Sequence, residues 1–369
     1  MSRDSDAPPA PVAFGRWAVP LLAEQLRLPG RDVRLRALAA LIDVLSQPLR
    51  GPEGLTEGFL QQLKVLLEDE DPCVRAKVCQ LLHVLAAHTC GRQALLAASF
   101  LPPLSKLLED PPCKRTVFLL LSRLSLHSSG MTPHRTHPAG NCQSRSIIDK
   151  PPPIPHPAGR VSLLTLLPKL MNKLQEEEEE DEEVQVLLLS LLRCCFQADP
   201  QAALRSDAVA LLAPKLSNGA LNIRKAAAAA MMALSVPMGG KVEVSDQQVL
   251  PAVAALLQEE DEEAQLIATG VIMFAAVTTA GKLQCLHLNV LPVLLKLACY
   301  RHEDEDMRRR RKPLVLNSIR GLTMLAETPE GRRLLKEQLP LLRRTTEEEE
   351  DEDIQRVFET AIQVMTFTP

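Results

Sequence analysis

The chain has 369 residues, 46% hydrophobic and only 3% aromatic, with a single Trp and a single Tyr. An apolar fraction rich in Leu and Ala favours packed helices over sheets. A net charge of −4 and a pI near 6.1 give no overall attraction to nucleic acid, and nine scattered cysteines suggest reduced thiols rather than a disulfide framework.

Residues 1–16 lack the basic start and apolar stretch of a secretory signal and are expected to be disordered. From residue 17 onward one short apolar unit recurs, spaced as Leu60, Leu63, Leu66, Leu67 and again as Leu250, Val253, Leu256, Leu257. Its second positions are Pro20, Gln61, Pro102, Pro168, Ala210, Pro251, Pro292 and Pro340, at intervals of 41, 41, 66, 42, 41, 41 and 48 residues. A period near 41 lies in the armadillo/HEAT range, and proline suits the first helical turn, where its missing N–H costs nothing.

A longer unit follows each of these, stepping by 4, 3, 1 and 3 residues. It reads Val33, Ala37, Ala40, Leu41, Val44 in the first repeat and Val74, Val78, Leu81, Leu82, Leu85 in the second. Later copies start at Val184, Ile223, Ala264, Leu314 and Ile354. Such stepping puts five side chains on one helical face, and no segment shows the period of two that a strand needs. The pairs Gly91-Arg92, Gly240-Lys241, Gly281-Lys282 and Gly331-Arg332 are expected to end these helices, glycine by left-handed geometry and the cation by the C-terminal dipole. Lone units of this kind cannot bury their own faces, so they stack. The predicted fold is an all-α, armadillo/HEAT-like helical-repeat solenoid, a right-handed superhelix of about eight repeats of ~41 residues.

The third repeat breaks the rule, because the stepping over residues 115–126 is poor. The interval of 66 then holds a Pro/His/Ser-rich stretch, residues 128–160, whose composition predicts a disordered insert. His134, His137, Cys142 and His156 invite a metal reading, but proline-broken backbone gives them no preorganised geometry. The organisation expected is therefore repeats 1–3 over residues 17–127, the third degenerate, then the insert, then repeats 4–8 over residues 161–369.

Acidic clusters follow the short units at residues 68–71, 109–110, 176–183, 259–263, 303–306 and 347–353. Two readings stand side by side: carboxylates solvating a turn and favouring the next helix N-terminus, or a rim that attracts basic partners. The candidate interface residues are Glu176, Glu180, Glu183, Glu259, Glu263, Glu347 and Glu350, with Arg308 and Arg311 from a basic run read as an extra loop of the seventh repeat. That loop is either self-paired and solvated or a basic contact. The column Asp43, Val84, Ala233, Phe274, Met324 holds no asparagine, so the amide ladder with which import-type armadillo proteins grip extended peptides is missing.

No Gly-rich phosphate loop, GxSxG or HExxH occurs, so neither catalysis, cofactor nor metal is expected. His83 and His88 read as packing or exposed residues rather than catalytic ones. Residues 266–281, the longest uncharged run, are too short to span a membrane.

The stretches Leu322-Thr-Met-Leu-Ala-Glu-Thr-Pro-Glu-Gly-Arg-Arg-Leu-Leu335 and Gly270-Val-Ile-Met-Phe-Ala-Ala-Val-Thr-Thr-Ala-Gly-Lys282 resemble the armadillo-repeat radial spoke head proteins, the rhabdoid tumour deletion region family. The similarity runs from about Trp17 to the C-terminus and departs at residues 128–160, where the family continues a regular repeat. It implies a non-enzymatic scaffold of the radial spoke, located in the cytoplasm and the axoneme of motile cilia and flagella, with axonemal proteins as partners and no nucleic acid, membrane or small-molecule substrate. The second reading is a cytoplasmic adaptor that binds basic segments of soluble partners through the acidic rim.

Overall fold

The apolar stepping folds into helices that bury one face and stack on their neighbours. A computed structural model describes residues 18–46, 56–126, 158–176, 181–247 and 249–367, and every regular element among them is helical. These residues form two units, Met1–Pro168 and Lys169–Pro369.

In the first unit, α1 (Ala18–Gln25) and α2 (Arg31–Leu45) make repeat 1, and α3 (Glu57–Leu66) and α4 (Pro72–Leu85) make repeat 2. Repeat 3 has three helices: α5 (Thr89–Ala97), α6 (Leu101–Lys106, continued by a 3-10 turn, Leu107–Glu109) and α7 (Pro111–Ser125). Then come α8 (Ala158–Leu163) and the start of α9 (Leu167–Gln175). The long helix α4 lies between α2 and α7.

In the second unit, α9 leads into the long helix α10 (Glu182–Ala198). Repeat 5 follows as α11 (Pro200–Leu204), α12 (Ala208–Leu212) and α13 (Leu221–Leu234), and repeat 6 as α14 (Met238–Asp246), α15 (Leu250–Leu257) and α16 (Glu262–Ala275). Repeat 7 comprises α17 (Thr279–His287), α18 (Leu291–Cys299) and α19 (Glu305–Ala326); repeat 8 comprises α20 (Pro329–Lys336), α21 (Leu339–Glu348) and α22 (Glu352–Thr366). The long helices stack in order, α10 on α13, α13 on α16, α16 on α19 and α19 on α22.

The five predicted core positions are buried in α4, α10, α13, α16 and α19. In α2 the face turns by about one residue. Ala37, Leu38, Leu41 and Leu45 are buried there, while Val33, Ala40 and Val44 are only half-buried. Among the described residues α2 has a long-helix neighbour on one side only, α4, so the face can rotate toward it.

Four expectations need correction. Repeat 3 is not degenerate in its long helix: Cys113, Val117, Leu120, Leu121 and Leu124 are all 0% exposed and step by 4, 3, 1 and 3. Cys113 opens the series, and a buried thiol packs as a small hydrophobe. Of the expected insert, residues 158–160 belong to α8, where the apolar run that follows draws them into the helix; residues 128–157, with the four metal candidates, lie outside the described residues. The basic run is not a loop either. It lies in α19, 22 residues long against 14 for α16, with Asp304 accepting the Met307 N–H at 2.9 Å and Pro313 inside the helix. The seven residues by which this interval exceeds 41 form about two extra helical turns.

Lastly, the glycines do not stop helices. Gly91, Gly240, Gly281 and Gly331 sit in the first turns of α5, α14, α17 and α20. A Cβ there would fall 2.0 Å from the carbonyl oxygen of Leu85, 1.8 Å from that of Leu234, 2.1 Å from that of Ala275 and 2.2 Å from that of Leu325. The glycine thus lets the short first helix cross directly over the last turn of the preceding long one. Left-handed geometry occurs one corner later, at Ser99, Asp207 and Asn289 with φ of 56°, 52° and 52°. There Phe100 N–H donates to Leu95 and Val290 N–H to Cys285, the hydrogen bonds of a Schellman stop, and α17 meets α18 at 88°. The arginines after two of these glycines do serve the helix end: Arg92 Nη1 donates to the carbonyls of Ala86 and Ala87 at 3.0 Å, and Arg332 Nε to that of Ala326 at 3.1 Å. Lys282 instead pairs with Glu327 at the end of α19. No single helix among the described residues is long and apolar enough to cross a membrane.

The adjacent pair Gly239 and Gly240 tests this contact. A Cβ on Gly239 meets only Leu204 Cδ1, at 3.7 Å. Gly239→Ala should be neutral or stabilise by up to about 0.5–1 kcal/mol, the ordinary gain in a helix. Gly240→Ala should instead destabilise by about 1–3 kcal/mol through overpacking. Urea melts of the two variants check the opposite signs.

Candidate protein-binding groove and its charged rim

Each long helix buries one face against its own repeat and leaves another open. In the second unit the open faces of α10, α13 and α16 line a groove of about 560 Å³. Val186, Leu187 and Ile267 supply its larger apolar side chains, and Ala226 and Ala229 its small ones. Asp181, Glu182, Glu183, Asn222, Lys225 and Glu263 cluster where the three helices begin.

The acidic clusters hold these helix starts. Asp71 accepts the Cys73 N–H at 2.7 Å, Asp261 the Ala264 N–H at 2.7 Å, and Asp351 the Asp353 and Ile354 N–H groups at 3.0 and 3.2 Å. This is N-capping of the next long helix, the first of the two readings. The same carboxylates also bridge repeats. Arg31 binds Asp71, and Arg34 Nη2 lies 3.3 Å from Asp69. Arg75 Nε reaches Asp110 at 2.8 Å. Lys225 Nζ lies 3.2 Å from Asp261 and 2.5 Å from Glu263. Lys312 Nζ lies 2.7 Å from Asp351 and 2.8 Å from Asp353. In each case a cation in the first half of one long helix spans to the acidic turn one repeat on.

The sequence-predicted residues separate accordingly. Glu259 pairs with Arg224, and Glu263 with Lys225 while also lining the groove. Glu350 lies 2.9 Å from Arg301 and 3.5 Å from Arg308. Arg311 is 9% exposed, binds Glu262 and stacks its guanidinium 4.8 Å from the Tyr300 ring centre. Arg308 and Arg311 also line a second cavity of about 440 Å³ with Thr345 and Asp351. Glu176 lies 3.8 Å from Lys173, Glu183 lines the groove mouth, and Glu347 is exposed on α21. Glu180 falls outside the described residues. An open acidic rim is therefore too simple: much of it is neutralised by the neighbouring repeat, and several acids converge at the groove mouth.

Sequence reasoning missed Lys225, Asn222, Arg193 and Ile267, which line the groove beside the predicted acids. The available signal was positional: Leu187, Ala226 and Ile267 each lie three residues after the first core position of their helix. The column Asp43, Val84, Ala233, Phe274, Met324 falls on the long helices, as expected, and Lys241 Nζ sits 5.4 Å from the Phe274 ring centre. His83 is half-buried on α4, its carbonyl accepting from Arg123 at 2.6 Å, and His88 precedes α5; both serve packing and helix ends.

No family model matches the chain. An engineered protein solved by the Northeast Structural Genomics Consortium aligns with a TM-score of 0.70 at 16% identity, covering 95% of this chain and 89% of its own. Two further engineered proteins from the same consortium each align with a TM-score of 0.54 at 17% identity, covering 70% and 71% of this chain and 98% and 97% of theirs. These likenesses concern the fold. The chain is a helical-repeat protein, an architecture consistent with a protein-interaction scaffold.

The ion-pair ladder predicts an acid response. Asp71 and Asp110 are held below the usual aspartate range by Arg31 and Arg75, Asp261 by the Ala264 N–H and Lys225, and Asp351 by Lys312. Groups with depressed folded pKa values stabilise the fold above their unfolded pKa, about 3.9 for aspartate, and lose that contribution as pH falls through the folded values. The melting temperature should hold from neutral pH to about 5 and drop below about 4. Replacing Asp71, Asp110, Asp261 and Asp351 together by Asn should flatten that drop in a calorimetric pH series.

Proposed function

We propose that this chain is a non-enzymatic scaffold of the radial spoke in the axoneme of motile cilia and flagella, holding other spoke or axonemal proteins on its stacked long helices. The observation that supports a scaffold is the stacked succession α10, α13, α16, α19 and α22, the first three of which share an open groove. A binding surface built this way grows with repeat number and needs no reacting group.

The radial spoke part of the proposal rests on the resemblance over residues 270–282 and 322–335. Those stretches cover the same junction in two successive repeats, from the second half of a long helix across the turn into the next short one. They include Gly281 and Gly331, so the resemblance reaches the backbone contact that spaces the repeats. The cytoplasmic adaptor is the competing proposal, favoured by carboxylates that stay exposed, Glu347 among them.

Fractionation of ciliated cells separates the two. A tagged full-length chain should remain with axonemes after non-ionic detergent and lie along their length by fluorescence microscopy. Complete release into the soluble fraction, with no axonemal signal, would reject the spoke assignment and favour the adaptor.

A further inference from the structure

We propose that the groove across α10, α13 and α16 takes an amphipathic helix from a partner protein, its basic end over the acidic mouth and an acidic residue toward Arg193. This builds on the scaffold reading by naming the kind of segment the scaffold holds.

Shape is the first argument. The middle helix, α13, presents Ala226 and Ala229, whereas Leu187 on α10 and Ile267 on α16 flank them with longer side chains. Small residues along the centre and larger ones on both sides make a trough. A helix, a cylinder about 10 Å across with side chains, inserts a ridge into such a trough.

Backbone chemistry is the second. An extended segment buried in a groove needs partners for its own N–H and C=O groups. Asn222, the amide among the lining residues, already donates to Glu182 Oε1 at 2.8 Å. A helix bonds its backbone internally and asks the groove only for apolar contact and charge, the mode of helix-in-groove recognition.

Charge supplies the direction. Asp181, Glu182, Glu183 and Glu263 line the mouth, where the cation is Lys225, already engaged by Asp261 and Glu263. About three turns along α10, ~16 Å at 1.5 Å per residue, Arg193 also lines the groove, and its Nε is buried with no hydrogen-bond partner among the described residues. The groove thus runs from negative to positive, and a complementary segment carries Lys or Arg at one end, an aliphatic stripe, and Asp or Glu at the other.

The test is selection from two display libraries, one of alanine-framed helices with randomised surfaces and one of unstructured linear peptides, on the full-length chain. The helix library should yield clones with aliphatics at i, i+3 or i+4 and i+7, basic residues at one end and an acid at the other. A synthetic peptide of the leading clone should bind about ten-fold or more weakly to Ala226→Leu, which fills the trough. Selection on Arg193→Glu, with retained helicity checked by circular dichroism, should exchange the acidic end for a basic one. Clones from the linear library alone, or none whose binding differs between the wild type and both variants, would overturn the proposal. A chain that stays with axonemes yet selects no helix would refute the groove assignment and leave the scaffold reading standing.

Discussion

The short first helix of a repeat crosses the last turn of the long helix before it with no side chain in between, and the rest of the stack depends on that approach. At Gly91, Gly240, Gly281 and Gly331 a Cβ would overlap a carbonyl oxygen of the preceding helix. The crossing fixes where the short helix starts and hence the corner at which it turns. It also brings Arg92 and Arg332 back onto the exposed carbonyls they cap. Thr278 and Thr328 strengthen the arrangement, each accepting the glycine N–H at 3.0 Å. Where it occurs, this junction sets the start of the next repeat against the long helix before it.

The charged turns act on top of that frame. Exposed ion pairs contribute little stability each, commonly below about 1 kcal/mol. Buried faces such as Ile223, Ala227, Ala230, Met231 and Leu234 on α13 carry the cohesion. What the pairs add is register, because a cation in the first half of one long helix reaches carboxylates of the next repeat only when neighbours are aligned. The same turns cap helix starts, so one short acidic segment orients the helix it begins and the repeat it touches.

That double use bears on function. Carboxylates committed to caps and bridges are poor bait for a partner, and Glu259 and Glu350 are committed in this way. The groove mouth differs because several acids converge there over an apolar floor. On the proposed scaffold reading, the groove rather than the self-neutralised rim is the surface that would select partners.

The periodicities were legible in the sequence because they are local. A 41-residue spacing, the 4, 3, 1, 3 stepping and the proline positions each follow from one helix needing one apolar face, so the all-helical repeat fold and most of its core could be read directly. Cys113 shows the limit, since a cysteine at the first core position hid a regular helix. The tertiary structure alone decided how Gly281 is used. A glycine after a helix reads as a left-handed stop, and only the crossing of two helices shows that the missing Cβ makes room for the Ala275 carbonyl. It also decided the fate of the acids: Asp110 and Arg75 are 35 residues apart, and nothing in either segment names the other until stacking brings them within 2.8 Å. Local pattern specifies which face of a helix is buried; which charges meet, and which faces stay open to form a groove, depends on the neighbour.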